Sequence, residues 1–314
     1  MKRWGNKYGR YAMVVLALAC VLLCGKNAYA DDEETTTLRV ISTTDIHDSI
    51  NSENYDVGGK NNTRSLAKLN TMIKTARSEI KQGNSITVDA GDSVYGYGAE
   101  TIMGSVEKPS NNLQPVFTAI SKVGYDAITL GNHEFDYGYG FITNQISQAG
   151  LDDICLVANV KEWSTGKYPW QKTKMITKEL ETSSGNRVSV KIGIIGVTHS
   201  ELSTYYDYNG ILKTDSTLKT VRTLSADLKK KGADIVVVVS HCGMGNNKSD
   251  DTAADVGYAM TKISTVDCVM LGHQHRNYPS DDASAQLFYK LPNIDKENGL
   301  TNGKPVVMVA DHAA

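Results

Sequence analysis

Five apolar, β-type runs in this sequence lead directly into side chains that bind metals. RVISTT runs into Asp45-Ile46-His47, SITVDA into Gly91-Asp92, and AITL into Gly131-Asn132-His133-Glu134. DIVVVVS ends at His241, and CVML runs into Gly272-His273-Gln274-His275. One buried strand ending in a carboxylate or imidazole is common. Several such ends, all carrying Asp, Asn or His, imply a polar site on one rim of a sheet, and that donor mix suits metal-dependent hydrolysis.

Asp45 and His47 stand two apart at an emerging strand end, a spacing that sends both to one side. A hard oxygen beside a borderline nitrogen suits Zn, Mn or Fe better than Ca or Mg. Asp92 follows a glycine that lets the backbone come close to ions. Its two oxygens can bridge two cations, and a pair about 3.5–4 Å apart can hold a phosphate oxygen and an attacking hydroxide together. Asn132 offers an amide oxygen that adds no charge. His133, the next residue, must face elsewhere, which makes it a candidate for stabilising a phosphoryl oxygen or protonating a leaving group. Asp136 can hold the other ring nitrogen of His133, and Glu134 is expected to support the loop by hydrogen bonds. His273 and His275 suit one ligand to each of two adjacent ions. His241 taken alone would be structural, as would His199, and His312 has no partner pattern. Cys242 is expected to pack on the face opposite His241, and Cys155 and Cys268 to fill apolar strands.

The elements that must position these groups alternate. Leu66, Leu69, Ile73, Ala76 and Ile80 repeat at helical spacing before Gly83. A strand is expected over 85–90, a helix over 113–123 ended by Gly124, a strand over 127–130, a helix over 139–149 and a buried strand over 154–158. Residues 174–197 hold two β-runs split by Ser183-Ser184-Gly185-Asn186. A helix over 217–231, a strand over 234–240, a helix over 251–263, a strand over 267–271 and a last strand over 305–310 complete the pattern. Alternation with continuous apolar strands predicts an α/β fold of sheets covered by helices.

Residues 1–30 read as a secretory signal peptide: basic residues through Arg10, the apolar run Ala12 to Cys24, then Ala28-Tyr29-Ala30 before Asp31. Thirteen apolar residues fall short of the roughly 20 that span a bilayer, and no transmembrane span is expected in the mature chain. The expected location is therefore outside the cytoplasm: periplasmic, cell-surface or extracellular. Residues 31–37 are expected to form a flexible lead-in. The net charge is −2, and residues 1–30 carry five cations and no acid, so the remainder carries −7 (−2 minus 5). An acidic body argues against binding nucleic-acid polymers. Three cysteines after residue 30 make no disulfide framework.

Taken in order, these motifs resemble the calcineurin-like metallophosphoesterases. Asn132-His133-Glu134-Phe135-Asp136 narrows the resemblance to the secreted 5′-nucleotidase family, which includes 5′-nucleotidases, UDP-sugar hydrolases and 2′,3′-cyclic-nucleotide 2′-phosphodiesterase/3′-nucleotidases. Thr43-Thr44-Asp45-Ile46-His47, Gly272-His273-Gln274-His275 and Tyr278-Pro279 look closest to the last branch, whereas Asp136 fits the 5′-nucleotidase pattern, since some cyclic-nucleotide members carry Asn there. The resemblance implies a four-layer αββα metallophosphoesterase sandwich over 38–314 that could lack its last strands. It implies two divalent ions (Zn, Mn or Fe), one held by Asp45, His47, Asp92 and His275, the other by Asp92, Asn132, His241 and His273. It also implies a catalytic dyad of His133 and Asp136. The implied activity is hydrolysis of a nucleotide substrate, 2′,3′-cyclic nucleotides and 3′-nucleotides first, by metal-activated hydroxide. Family members usually continue into a C-terminal nucleotide-recognition domain, and this sequence is expected to lack it. Tyr95, Tyr97, Tyr137, Tyr139, Tyr205 and Tyr206 could contact a base but read as amphipathic surface. The rival reading is an exported metal-binding protein without turnover, which the complete donor set and dyad count against.

Overall fold

The structure, a computed structural model, describes residues 14–19, 34–52, 59, 65–81, 83–95, 112–202, 210–251, 253–281 and 283–309. Two sheets carry the fold. The first has the order β1 (Val14–Ala19), β2 (Thr35–Thr43), β3 (Ser85–Asp89), β4 (Ala127–Ile128), with β1 antiparallel to β2 and the rest parallel. Three helices belong with it: α1 (Leu66–Ser78), α2 (Pro115–Val123) and α3 (Tyr139–Gln148). After a two-stranded pair of β5 (Val160–Glu162) and β8 (Leu212–Thr214) comes the second sheet. It contains β6 (Thr173–Glu181), β7 (Arg187–Thr198), β9 (Ile235–His241), β10 (Cys268–Leu271), β11 (Ile294–Asp295), β12 (Leu300–Thr301) and β13 (Lys304–Met308). Its order is β11-β12-β13-β10-β9-β7-β6, and β7, β9, β10 and β13 run parallel. The helices α4 (Thr217–Lys230) and α5 (Gly257–Met260) belong to this half.

Continuous apolar strands are what a sheet buried on both faces requires, because successive side chains alternate between faces. Val237, Val239, Cys268 and Met270 of the second sheet meet Val40, Ile86 and Val88 of the first in one core between the sheets. Their neighbours Val236, Val238, Val269 and Leu271 turn outward onto Leu218, Val221 and Leu228 of α4 and Tyr258 and Met260 of α5. Ile73, Phe117, Ile120, Ile142 and Ile146 cover the outer face of the first sheet. The layers are therefore helix, sheet, sheet, helix, as expected.

Local chemistry explains the helix ends. Ser65 and Ser216 cap α1 and α4 by accepting from the amides of Lys68 and Lys219. Pro115 stands in the first turn of α2, and Gly124 closes it at φ 76°.

Several expectations need correction. Thr35–Thr37, assigned to the lead-in, are the first residues of β2, and the Thr36 hydroxyl donates to the Glu181 carbonyl at 2.8 Å. The helix expected over 251–263 shrinks to Gly257–Met260. Asp255 is held out of it by accepting from the Gly243 amide and the Gln274 side chain, both at 2.6 Å. The segment expected as a strand over 154–158 forms no continuous ladder: it makes the isolated bridges Ile128–Cys155 and Leu156–Gln171, and the Ala158 amide donates to the Gly196 carbonyl at 2.8 Å. Of the candidate export signal only Val14–Ala19 is described, as β1; its other residues, and His312, lie outside the described residues.

Candidate metal centre

The parallel strands β2, β3, β4, β9 and β10 all deliver their C-terminal ends to one rim, where α/β sheets place their sites. The loops beyond these ends are tied to one another. The amides of Asp45, His47 and Asp48 donate to the carbonyls of Gly91, Asp92 and Ser93 at 2.8, 3.0 and 2.9 Å. Asp45, His47, Asp92, His273 and His275 all have positive φ, between 46° and 70°. Non-glycine residues enter that region at a cost of about 1–3 kcal/mol each, and such strain gathers at functional sites. The same-face spacing of Asp-x-His and His-x-His therefore works by left-handed turns, not by strand alternation. Gly131 is fixed by contact, since a Cβ there would fall on Asp92 Oδ1.

Two groups of donor atoms form, and Asp92 belongs to both. Asp45, His47, Asp92 and His275 make the first; Asp92, His241 and His273 make the second. His275 Nε2 lies 3.0 Å and His47 Nε2 3.7 Å from Asp45 Oδ1, and the two imidazole nitrogens are 3.2 Å apart. His241 Nε2 lies 2.9 Å from Asp92 Oδ2. Asn132 Oδ1 joins the second group, 2.9 Å from His273 Nδ1. All seven residues expected as ligands thus converge. Asp45 Oδ1 and His241 Nε2 are buried without a hydrogen-bond partner despite these close approaches. Carboxylates and imidazoles gathered this closely in the interior need a shared positive charge, from imidazole protons or from cations, so the donor set fits two divalent ions.

Second contacts fix the rings. His47 Nδ1–H donates to the Tyr95 carbonyl at 2.8 Å, and His241 Nδ1–H donates to the Ala90 carbonyl at 2.7 Å. Each Nε2 is thereby turned into the site. Burial alone would lower the pKa of His47, but Asp45 and Asp92 override it and raise the value to about 9. Burial likewise opposes charge on His241, and Asp92 raises it to about 10. Burial would raise Asp92, but the charge of His241 holds it down to about 2.

These shifts have two consequences of opposite sign. In the metal-free protein both imidazoles have pKa values above their ordinary 6.5, so their pairing stabilises the fold fully below that pH and is lost as pH rises through 9 and 10. Ions compete with the same protons, so metal affinity climbs with pH toward 9. Calorimetric titration with Mn²⁺ near pH 7.5, in buffers of different ionisation enthalpy, is expected to report about two protons released on loading. No release would contradict the assignment.

Glu134 supports the loop, as its sequence position suggests. Its carboxylate accepts from the amides of Gly131, Asp92 and Ser93 at 2.6, 2.9 and 2.5 Å. Glu134→Ala is expected to cost about 3 kcal/mol by leaving buried N–H groups unpaired. Urea unfolding checks this, and a loss under about 1 kcal/mol would remove the proposed role.

His133 sits beside Asp92 and outside both donor groups, its amide donating to Asp92 Oδ1 at 2.8 Å. Its Nδ1 lies 2.7 Å from Asp136 Oδ2. Burial works against charge on this imidazole, but Asp136 wins and raises its pKa above the ordinary value. The ring can therefore hold a proton for a leaving oxygen.

Cys242 packs in the outer core, turned away from His241, as alternation requires. His199 comes closer to the site than its sequence position suggested: its ring stands edge-on to His273 with centroids 4.4 Å apart. Burial beside His273 and His241 lowers its pKa to about 3. The contributions of Tyr95, Ala90 and Asp48 were not read from the sequence. Two act through backbone carbonyls, which leave no sequence signal. Asp48 accepts from the Tyr95 amide at 2.9 Å, and its place three residues after Asp45 could have marked it.

Comparison with known proteins agrees with this geometry. The chain is 28% identical over 299 residues to the 2′,3′-cyclic-nucleotide 2′-phosphodiesterase/3′-nucleotidase of Haemophilus influenzae, covering 95% of this chain and 44% of that protein. It is 29% identical over 301 residues to the protein of that name from Salmonella typhimurium, covering 94% and 44%. The chain thus spans less than half the length of these relatives. The crystal structure of calcineurin-like phosphoesterase YfkN from Bacillus subtilis superposes with a TM-score of 0.75 at 27% identity, covering 87% of this chain and 81% of that one. No helix among the described residues is long and apolar enough to cross a membrane. Residues 38–277 match the profile described as Calcineurin-like phosphoesterase, and the chain belongs to that family.

Proposed function

We propose that the protein is an exported phosphoesterase that hydrolyses nucleotides, 2′,3′-cyclic nucleotides and 3′-nucleotides first. The observation that carries this reading is the pair of donor groups sharing Asp92, with the His133–Asp136 pair against that carboxylate. Asp45, His47, Asp92 and His275 would hold one divalent ion; Asp92, Asn132, His241 and His273 would hold the other. Two such ions supply charge neutralisation at phosphoryl oxygens and lower the pKa of water toward ~7.

The chain's own residues do the rest. Tyr95 O and Ala90 O keep His47 and His241 in the ligating tautomer. Glu134 holds the backbone on either side of Asp92 and at Gly131. His133, with Nδ1 held by Asp136, gives a proton to the departing ribose oxygen as hydroxide, left when a water releases a proton to solvent, bonds to phosphorus and the P–O bond to that ribose oxygen breaks. The names of the two bacterial relatives support the substrate class, and the N-terminal basic and apolar stretch supports export.

Asp136 favours a second reading, a 5′-nucleotidase. A panel of 2′,3′-cyclic AMP, 3′-AMP, 5′-AMP and p-nitrophenyl phosphate decides, using Mn²⁺-loaded protein recovered from outside the cytoplasm. The expected result is the highest kcat/KM on the first two, none after chelation, and Asp31 at the N-terminus. Preference for 5′-AMP would move the substrate to the second reading. Turnover that survives chelation, or protein retained in the cytoplasm, would contradict the first.

A further inference from the structure

Among the described residues at the site, Tyr95 is a large side chain that this reaction scheme leaves without a task for its ring. The residue sits at φ 66°, a costly region for an aromatic side chain, and its side chain is 45% exposed. Burial therefore does not explain its placement. Both of its backbone groups are committed. Its amide donates to Asp48 Oδ2 at 2.9 Å and its carbonyl accepts from His47 Nδ1 at 2.8 Å. With the main chain held this way, the phenol ring lies flat on the imidazole of His133, with an interplanar angle of 3° and centroids 4.5 Å apart. Tyr137 stands tilted to the same ring, with centroids 6.5 Å apart.

His133 has two hydrogen-bonded restraints, besides the ring of His47 standing edge-on to it at a centroid distance of 5.3 Å. Its amide is tied to Asp92 Oδ1 and its Nδ1 to Asp136 Oδ2. The first acts on the backbone, and the second fixes one atom of the ring. Neither prevents the ring from rocking about the Nδ1–carboxylate contact. A flat partner at stacking distance does, and proton transfer depends on that orientation.

We propose that Tyr95 is a positioning residue for the reaction: its ring sets the plane of His133 so that Nε2 faces the leaving oxygen, while its carbonyl holds His47 for metal binding. One left-handed residue thereby couples the ligand shell to the proton donor. The inference rests on the role proposed for His133 as the acid.

The test uses the dependence on leaving group. Nitrophenolate departs without a proton, whereas a ribose oxygen needs one, so the ratio of kcat for 3′-AMP to kcat for p-nitrophenyl phosphate reports the acid. Tyr95→Gly keeps the amide and carbonyl and suits the positive φ. It is expected to retain bound metal and to lower the ratio about tenfold, part of the 10²–10⁴-fold that a general acid supplies. Tyr95→Leu, of similar bulk but without a ring face, should behave like the glycine variant. Tyr95→Phe should restore the ratio to within about twofold of wild type. The Leu–Phe comparison decides the matter alone if the glycine variant folds poorly. His133→Ala is the reference and should lower the ratio about a hundredfold or more. An unmoved ratio in His133→Ala would overturn the acid assignment itself. A lowered ratio there, with Tyr95→Leu equal to Tyr95→Phe, would overturn the positioning role and leave the acid in place.

Discussion

Asp92→Ala is expected to abolish turnover, by at least about 10³-fold in kcat/KM, and to empty both ion sites together. Asp92 is the one residue common to the two donor groups. Losing it removes a carboxylate from each and leaves His241 facing the site without its negative partner at 2.9 Å. Ions at such a centre contribute several kcal/mol of charge stabilisation, and each 1.36 kcal/mol is a factor of about ten in rate. Removing His275 instead takes a ligand from the first group only, so that variant should keep one ion. Atomic emission on dialysed Mn²⁺-loaded variants distinguishes the two patterns. An Asp92→Ala protein that still bound two equivalents would refute the shared role.

His133→Ala is expected to give a different signature: kcat down about 10²–10⁴-fold with metal content unchanged. His133 is hydrogen bonded to the ligand set through its backbone amide, which alanine keeps, on Asp92 Oδ1, and its ring meets that of His47 edge-on with centroids 5.3 Å apart. Binding of substrate by the ions is retained, so KM should move far less than kcat. Asp136→Asn should fall between, because the ring loses the negative partner that raises its pKa but keeps a hydrogen-bond acceptor. Metal retention with undiminished kcat in His133→Ala would remove the residue from the chemistry.

These expectations rest on a site much of which could be read from the sequence, for a physical reason. A parallel strand buried on both faces has a continuous apolar sequence, and the first polar residue past its end must lie at the rim. His241, Asp92 and His273 were found that way. Local pattern likewise gave α1 from the helical spacing of Leu66, Leu69 and Ile73, α2 from the stop at Gly124 and α4 from its amphipathic run. It failed where distant partners decided the conformation. Asp255 reaches Gly243 and Gln274, so the segment before Gly257 is a strap and not a helix. β5 and β8 are too short to leave a periodic pattern and exist because they pair across a gap of about fifty residues. The carbonyls of Tyr95 and Ala90 are invisible to any reading of side-chain types. The left-handed turns at Asp45, His47, His273 and His275 could not be read either, since neither aspartate nor histidine requires them.

The centre's composition is tested most directly by anomalous X-ray scattering from crystals of the Mn²⁺-loaded protein, recorded on either side of the manganese edge. Two peaks are predicted, with Asp92 between them, Asp45, His47 and His275 around one, and Asn132, His241 and His273 around the other. A single peak at saturating Mn²⁺, or Asp92 lying away from both, would contradict the account.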